Sequence, residues 1–166
     1  MITLVLGGAR SGKSEFAERL ARSGGGAVTY VATATVTGDP DFEARIRRHR
    51  DRRPPDWRTA EPGRDLVAFV RSDRTGSTLL VDSLGTWVAS FDRFETDIDG
   101  LCRALADRPG RAIVVSEEVG LGVHPSTELG GRFRDALGAV NQAVAEIADQ
   151  AYLVVAGRPL TLESGI

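Results

Sequence analysis

Several residue types are scarce in this chain, and each shortage excludes something. Cysteine occurs once, at Cys102, so no internal disulfide can form and a reducing compartment is the simplest setting. No apolar stretch approaches the ~20 residues that a membrane-crossing helix requires, so no membrane span is expected. The run Ile2 to Leu6 enters a glycine-rich turn at Gly7, which is unlike a secretory leader, and a cytoplasmic location is expected. Neither sign of charge is in excess: 21 basic residues face 23 acidic ones, for a formal net charge of -2. Nothing global therefore points to nucleic acid or an anionic membrane as a partner. Lysine is the most telling shortage. Lys13 is the only one, and every other basic residue is arginine. A coding bias that replaced lysine almost everywhere spared one site, which suggests a need there for a compact ammonium rather than a planar fork.

What is present reads as one domain over residues 1–166, with 42% hydrophobic and 27% charged residues. Strand-type apolar runs occur at Ile2–Leu6, Ala27–Thr33, Thr78–Val81, Ala112–Val115 and Tyr152–Val155. Shorter candidates lie at Trp57–Ala60 and Leu160–Leu162. Helices are expected from Lys13 to Ser23, from Asp39-Pro40 to about Arg50, around Arg64–Arg71, and over much of Thr86–Ala106 with a break at Phe91–Phe94. Asp39 would serve as N-cap with Pro40 in the first turn. Within Ser126–Asp149, the residues Phe133, Leu137, Val140, Val144 and Ile147 fall on one helical face. Repeated alternation of strand and helix implies an α/β fold: a mainly parallel sheet with helices on both faces.

The segment Gly7-Gly8-Ala9-Arg10-Ser11-Gly12-Lys13-Ser14 fits G-x-x-x-x-G-K-S between a strand and a helix, the pattern of a phosphate-binding loop. Gly7 and Gly12 allow the backbone to bring its N–H groups close to phosphate oxygens, and the helix beginning at Lys13 adds its positive dipole end. Lys13 is expected to reach the β- and γ-phosphates of ATP or GTP, and the Ser14 hydroxyl to ligate Mg²⁺. Asp82, after the apolar run Leu79-Leu80-Val81, would stand at the carboxyl edge of the sheet as a second Mg²⁺ ligand or, alternatively, as a cap for the next helix. Asp82-Ser83-Leu84-Gly85 also matches the D-x-x-G of switch GTPases. Those proteins read guanine with N-K-x-D, however, and no lysine remains for it.

The segment Arg45 to Arg53 is dense in arginine. Its bland reading is a solvated helix face, and RNA binding is disfavoured because no aromatic residue is interleaved. His49 shares a helical face with Phe42 and Ile46, so it lies on the inward stripe. Surrounding cations disfavour a charged imidazole. A neutral one can attack phosphorus while arginines stabilise the developing charge. A structural role for His49 is the competing reading.

Taken together, GGARSGKS at 7–14, YVAT at 30–33, ARIRRHR at 44–50, WRTAE at 57–61, EVG at 118–120 and RFRDALGAVNQ at 132–142 occur in order over nearly the whole chain. In this combination the sequence resembles the bifunctional adenosylcobinamide kinase/adenosylcobinamide-phosphate guanylyltransferases of cobalamin biosynthesis. The resemblance implies a RecA-like P-loop domain, a homotrimer, and two reactions. The first phosphorylates the aminopropanol hydroxyl of adenosylcobinamide with ATP or GTP. The second moves GMP from GTP onto that phosphate, through a guanylylated histidine that matches His49. It also implies that Ala32, Thr33, Ala34, Thr35, Arg50, Asp51, Arg52, Arg53, Glu61 and Asp82 surround the guanine nucleotide. A carboxylate such as Glu61 can accept two hydrogen bonds from guanine, although a solvated loop charge is the alternative. Glu118 would orient Mg²⁺ or accept the substrate hydroxyl proton, an assignment that Glu117 beside it makes ambiguous. Arg132 and Arg134 are either solvated or placed to meet phosphate across a subunit boundary. The stretch Thr86–Arg108 is short for the family. Two further readings remain: a plain small-molecule kinase without a covalent intermediate, and a RecA-like nucleotide-binding regulatory module.

Overall fold

The apolar runs ITLVLG, VTYVA, TLLVD and AIVVSE form the middle of one seven-stranded sheet, and they are buried because helices cover both of its faces. The computed structural model describes residues 1–34, 44, 47, 50 and 53–163. The strands are β1 (Ile2–Gly7), β2 (Val28–Ala32), β3 (Arg58–Ala60), β4 (Thr78–Asp82), β5 (Ala112–Glu117), β6 (Gln150–Val155) and β7 (Arg158–Leu162). Among the described residues the α-helices are α1 (Lys13–Ser23), α2 (Leu66–Ser72), α3 (Leu84–Ala89), α4 (Ile98–Asp107) and α5 (Glu128–Ile147). A single 3-10 turn at Gly63–Asp65 leads into α2.

The sheet order is β3-β2-β4-β5-β1-β6-β7. All neighbours are parallel except β6 and β7. These two form a hairpin whose turn residues Ala156 and Gly157 both have positive φ, at 51° and 76°, as a two-residue turn between twisted strands requires. β7 carries Pro159 and is exposed along its length, a position that suits only an edge strand.

Two cores result. On one face Phe16, Ala17 and Ala21 of α1 pack on Val5, Tyr30, Leu80, Ile113 and Val115. On the other, α2 to α5 cover Leu4, Val31, Leu79, Val81 and Val114, with Trp87 fully enclosed. Within α5 the buried positions are Leu137, Val140, Asn141 and Val144, one stripe at helical spacing.

The described elements follow the sequence-based expectations with adjustments that have local causes. The break in the Thr86–Ala106 region is wider than expected, running from Ser90 to Asp97, because each flanking helix has its own cap. Ser83 accepts from Thr86 N–H in a reciprocal capping box, and Asp97 Oδ1 accepts from Gly100 N–H at 2.8 Å. The cap of α3 is therefore Ser83 and not Asp82. β5 extends two residues beyond the expected Val115, to Glu117. The expected helix from Asp39 to about Arg50 falls outside the described residues except for 44, 47 and 50, which are helical.

At the amino-terminal end of the strands, Arg108 closes the connection between α2 and β4. Its Nη2 donates to Asp73 Oδ2 at 2.9 Å and to the Ser77 carbonyl at 2.9 Å, while Nη1 donates to the Arg111 carbonyl. Both side chains of the ion pair are buried. Burial raises the Asp73 carboxyl pKa, but hydrogen bonds from the Thr75 hydroxyl and N–H and from Arg108 outweigh it, and the net direction is downward. Removing one partner leaves a buried charge uncompensated. Arg108→Ala is therefore expected to destabilise the fold by about 3–5 kcal/mol in urea titration at neutral pH. Because the folded pKa lies below the unfolded one, the contribution of Asp73 is present above the ordinary carboxylate pKa and fades as pH falls below it. The stability gap between wild type and variant should narrow over that acidic range.

Candidate active site

The carboxyl ends of β1, β5, β4 and β2 stand side by side, with Gly7 opposite Glu117 and Ala32 opposite Asp82. This edge of a parallel sheet is where loops can converge on a ligand. The loop from Gly7 to Gly12 leaves β1 and turns into α1. Arg10 (φ 57°) and Gly12 (φ 89°) both adopt left-handed backbone. Ser11 N–H donates to the Gly8 carbonyl at 3.3 Å. A side chain at Gly12 would be strained by its φ and would press on Gly157 Cα at 3.1 Å. At Gly7 an added Cβ would lie 2.8 Å from the Val154 carbonyl oxygen. The loop is also held from the β6–β7 hairpin, whose Gly157 N–H donates to the Ser11 carbonyl at 2.7 Å. The first turn of α1 carries Lys13 and the half-buried Ser14, with the free amide ends of the helix behind them.

Lys13 is 9% exposed, and its ammonium has two neighbours, the Gly8 carbonyl at 3.4 Å and Glu117 Oε1 at 3.5 Å. Glu117 in turn accepts from the Ser83 hydroxyl at 2.9 and 3.0 Å. Asn141 Nδ2 on α5 donates to the Glu117 carbonyl at 3.0 Å. Of the two adjacent glutamates, Glu117 is thus the one brought to the phosphate loop. Glu118 N–H donates to the Gly7 carbonyl, while its carboxylate turns back to accept from Gly120 N–H at 2.5 Å. Thr33, expected near nucleotide, is buried and links β2 to the start of α3: its Oγ1 donates to the Ser83 carbonyl at 2.6 Å and accepts from Ser83 N–H at 2.8 Å.

Asp82 ends β4 beside Ser83. Tyr30, 2% exposed on β2, donates its hydroxyl to Asp82 Oδ2 at 2.7 Å. Burial and the facing Asp82 carboxylate drive the Tyr30 pKa far above its ordinary value, so the phenol stays protonated. The Arg53 guanidinium stands 3.7 Å from the centre of the Tyr30 ring, and Trp57 stacks on that ring at 6.5 Å between centroids. Arg22 covers Trp57 in turn. Arg50 and Glu61 form an exposed ion pair at 3.3 Å. Ala32 and Ala34 flank Thr33 at the end of β2, half-buried. Thr35, His49, Asp51 and Arg52 lie outside the described residues. Arg132 is exposed, whereas Arg134 is half-buried and bonded to its neighbour Asp135 at 2.9 Å.

The sequence matches the family "Cobinamide kinase / cobinamide phosphate guanyltransferase" over residues 3–162. The chain belongs to this family. Among its similar relatives, the bifunctional adenosylcobalamin biosynthesis protein CobP of Pseudomonas aeruginosa is 45% identical, with 98% of each chain covered. The CobU proteins of Salmonella typhimurium and Escherichia coli are 36% and 34% identical, each over 95% of this chain and 97% of theirs. As a member of the cobinamide kinase/guanyltransferase family the chain is an enzyme, a transferase of phosphoryl and nucleotidyl groups. Its fold is also that of distant P-loop proteins. A type III secretion ATPase aligns with a TM-score of 0.53 at 9% identity over 92% of this chain, which spans half of that protein's length. The RadB recombinase aligns with a TM-score of 0.53 at 16% identity, over 92% of this chain and 73% of its own. The expected RecA-like architecture is therefore present.

Tyr30, Ser83 and Gly157 were not among the residues expected at the site. Tyr30 and Ser83 lie inside or beside quoted segments, but only the pairing of β2 with β4 sets Tyr30 on Asp82 and Thr33 on Ser83. Gly157 had no local signal. The loop geometry makes Lys13 the sole ammonium available to a bound triphosphate. Lys13→Ala is expected to weaken binding of ATP or GTP by about 2–5 kcal/mol, the usual cost of deleting one partner of a desolvated charge pair, measured by calorimetry with magnesium present.

Proposed function

We propose that the enzyme phosphorylates adenosylcobinamide with ATP or GTP and then transfers GMP from GTP to the resulting phosphate, giving adenosylcobinamide-GDP and pyrophosphate. The observation that carries the kinase half is the meeting of Lys13, the phosphate loop and the Glu117 carboxylate at one edge of the sheet. In this reading the incoming triphosphate takes over the Lys13 ammonium, and Glu117 is released toward the acceptor. The aminopropanol hydroxyl attacks the γ-phosphorus, the bond to the β-γ bridging oxygen breaks, and the proton passes to a carboxylate. We assign that role to Glu117 in place of Glu118, because only Glu117 touches the phosphate loop's lysine.

The donor set suits Mg²⁺. Ser14 and Asp82 offer hard oxygen ligands, and among the described residues no group of three His, Cys, Asp or Glu side chains forms a dedicated metal cage. Mg²⁺ held by two protein oxygens would complete its shell with phosphate oxygens and water, and would supply charge neutralisation there. The chain's own part is to orient the phosphates through its loop amides and to hold Asp82 at the end of β4.

For the guanylyl half, the imidazole of His49 attacks the α-phosphorus of GTP, pyrophosphate leaves, and a phosphoramidate forms. The phosphate oxygen of adenosylcobinamide phosphate then displaces the histidine and regenerates it. The support is the ARIRRHR segment in a chain of this family. Arg50, Arg53 and Glu61 stand at the described edge of that segment, near the end of β2, where Arg50 and Arg53 can meet phosphate and Glu61 a guanine edge. A homotrimer in the cytoplasm belongs to the same proposal. Val155, Leu160 and Leu162, exposed on the β6–β7 hairpin, offer apolar surface to a neighbouring subunit.

The decisive experiment is intact-mass spectrometry after incubation with GTP and Mg²⁺. One added GMP per chain is expected for wild type and none for His49→Ala, and the adduct should be acid-labile and alkali-stable. Retention of the adduct in that variant would move the nucleophile elsewhere, and no adduct in wild type would leave a plain kinase. Glu117→Gln is expected to slow γ-phosphoryl transfer by about 10²–10⁴-fold, the usual contribution of a positioned base, while still forming the GMP adduct. Glu118→Gln should retain most of the kinase rate.

A further inference from the structure

Tyr30 is buried in the core between α1 and the sheet, yet its hydroxyl leaves that core at the Asp82 carboxylate. The ring belongs to the same apolar cluster as Leu80, Ile113 and Val115. Its hydroxyl donates to Asp82 Oδ2 at 2.7 Å across the β2–β4 ladder. The ring itself has little freedom. Trp57 stacks on it with planes 29° apart, and Arg53 lies 3.7 Å from its centre. A phenol gripped in this way fixes the direction from which the hydrogen bond arrives. The terminal torsion of an aspartate has broad wells, so each hydrogen bond to its carboxylate narrows the orientations it can take.

We propose that Tyr30 is a positioning residue for the divalent-cation site: its hydroxyl holds the Asp82 carboxylate in the orientation that ligates the cation. The inference rests on the proposed role of Asp82 as a cation ligand. Arg53, the last residue of the arginine segment, lies against the same ring, so one aromatic side chain touches both the Asp82 carboxylate and the border of that segment. A ligand already oriented avoids the entropy of ordering when the cation arrives, and the cost of losing that order appears in cation affinity rather than in the chemical step.

The test uses the full chain with Mn²⁺ as the probe and a non-hydrolysable GTP analogue, reading free Mn²⁺ by electron paramagnetic resonance without turnover. Tyr30→Phe keeps the ring, the Trp57 stack and the Arg53 contact while deleting only the hydroxyl. It is expected to raise the Mn²⁺ dissociation constant about tenfold or somewhat more, the lower end of what a hydrogen bond to a charged group contributes. Nucleotide binding in the presence of a chelator should match wild type. In turnover, the Mg²⁺ concentration for half-maximal rate should rise while the rate at saturating Mg²⁺ stays within about twofold of wild type. Asp82→Asn should weaken Mn²⁺ binding by itself, and adding Tyr30→Phe to it should change nothing further. If Asp82→Asn weakens Mn²⁺ binding but folded Tyr30→Phe does not, or if the two effects add, the inference about Tyr30 is overturned while Asp82 keeps its role. If Asp82→Asn binds Mn²⁺ like wild type, the ligand assignment itself fails and takes the inference with it. Should Tyr30→Phe not fold by circular dichroism, the ring's hydroxyl is structural and the inference is likewise overturned.

Discussion

A single ammonium, almost fully withdrawn from water, organises the site. Lys13 is placed by the first turn of α1, and its charge is met by the Gly8 carbonyl and the Glu117 carboxylate. Holding a cation at this depth requires partners on both sides, because an isolated buried charge would cost several kcal/mol. That requirement explains why β1 and β5 must be neighbours: β1 feeds the loop and the lysine, and β5 delivers the carboxylate directly across from Gly7. The position of Ser83 follows from the same need, since its hydroxyl holds Glu117 while its backbone is clasped by Thr33.

The two proposed reactions place different demands on this arrangement. Phosphoryl transfer needs little covalent chemistry from the protein, only charge and alignment, and rigid strand ends are suited to supply both. Nucleotidyl transfer through a histidine needs a nucleophile that can approach the α-phosphorus and then present it to a second acceptor. Its candidate sits on a separate arginine-rich segment, whose described border touches the strand ends through Arg53 on Tyr30 and Arg50 on Glu61. The first of these contacts is buried and aromatic, the second exposed, so the attachment is strongest beside Tyr30 and the proposed cation ligand Asp82.

Much of the fold was legible because its signals are local. A parallel, doubly covered sheet demands short, continuous apolar runs, and TLLVD and AIVV could be read without any partner. The glycine-bounded helix from Lys13 to Ser23 was equally plain. The adjacent pair Glu117-Glu118 was not legible. Strand side chains alternate, so which of two neighbours faces the lysine depends on where β5 stops, and the expected end at Val115 left both glutamates in a loop. The cap of α3 depended on a similar distinction, since Asp82 and Ser83 are both good cap residues and the reciprocal bonds between Ser83 and Thr86 are what separate their roles.

The sequence by itself determined the phosphate loop, its lone lysine, the alternation of elements and the family, because each is written in residues close together or in an ordered set of segments. Tertiary structure decided which distant groups complete the site: Glu117 on Lys13, Tyr30 on Asp82, and the Gly157 amide on Ser11, some 146 residues away in the chain. The reason is physical. Backbone geometry and hydrophobic period act over a few residues, whereas strand order and register are set by packing the whole sheet, and only that packing brings remote polar atoms within 3 Å of one another.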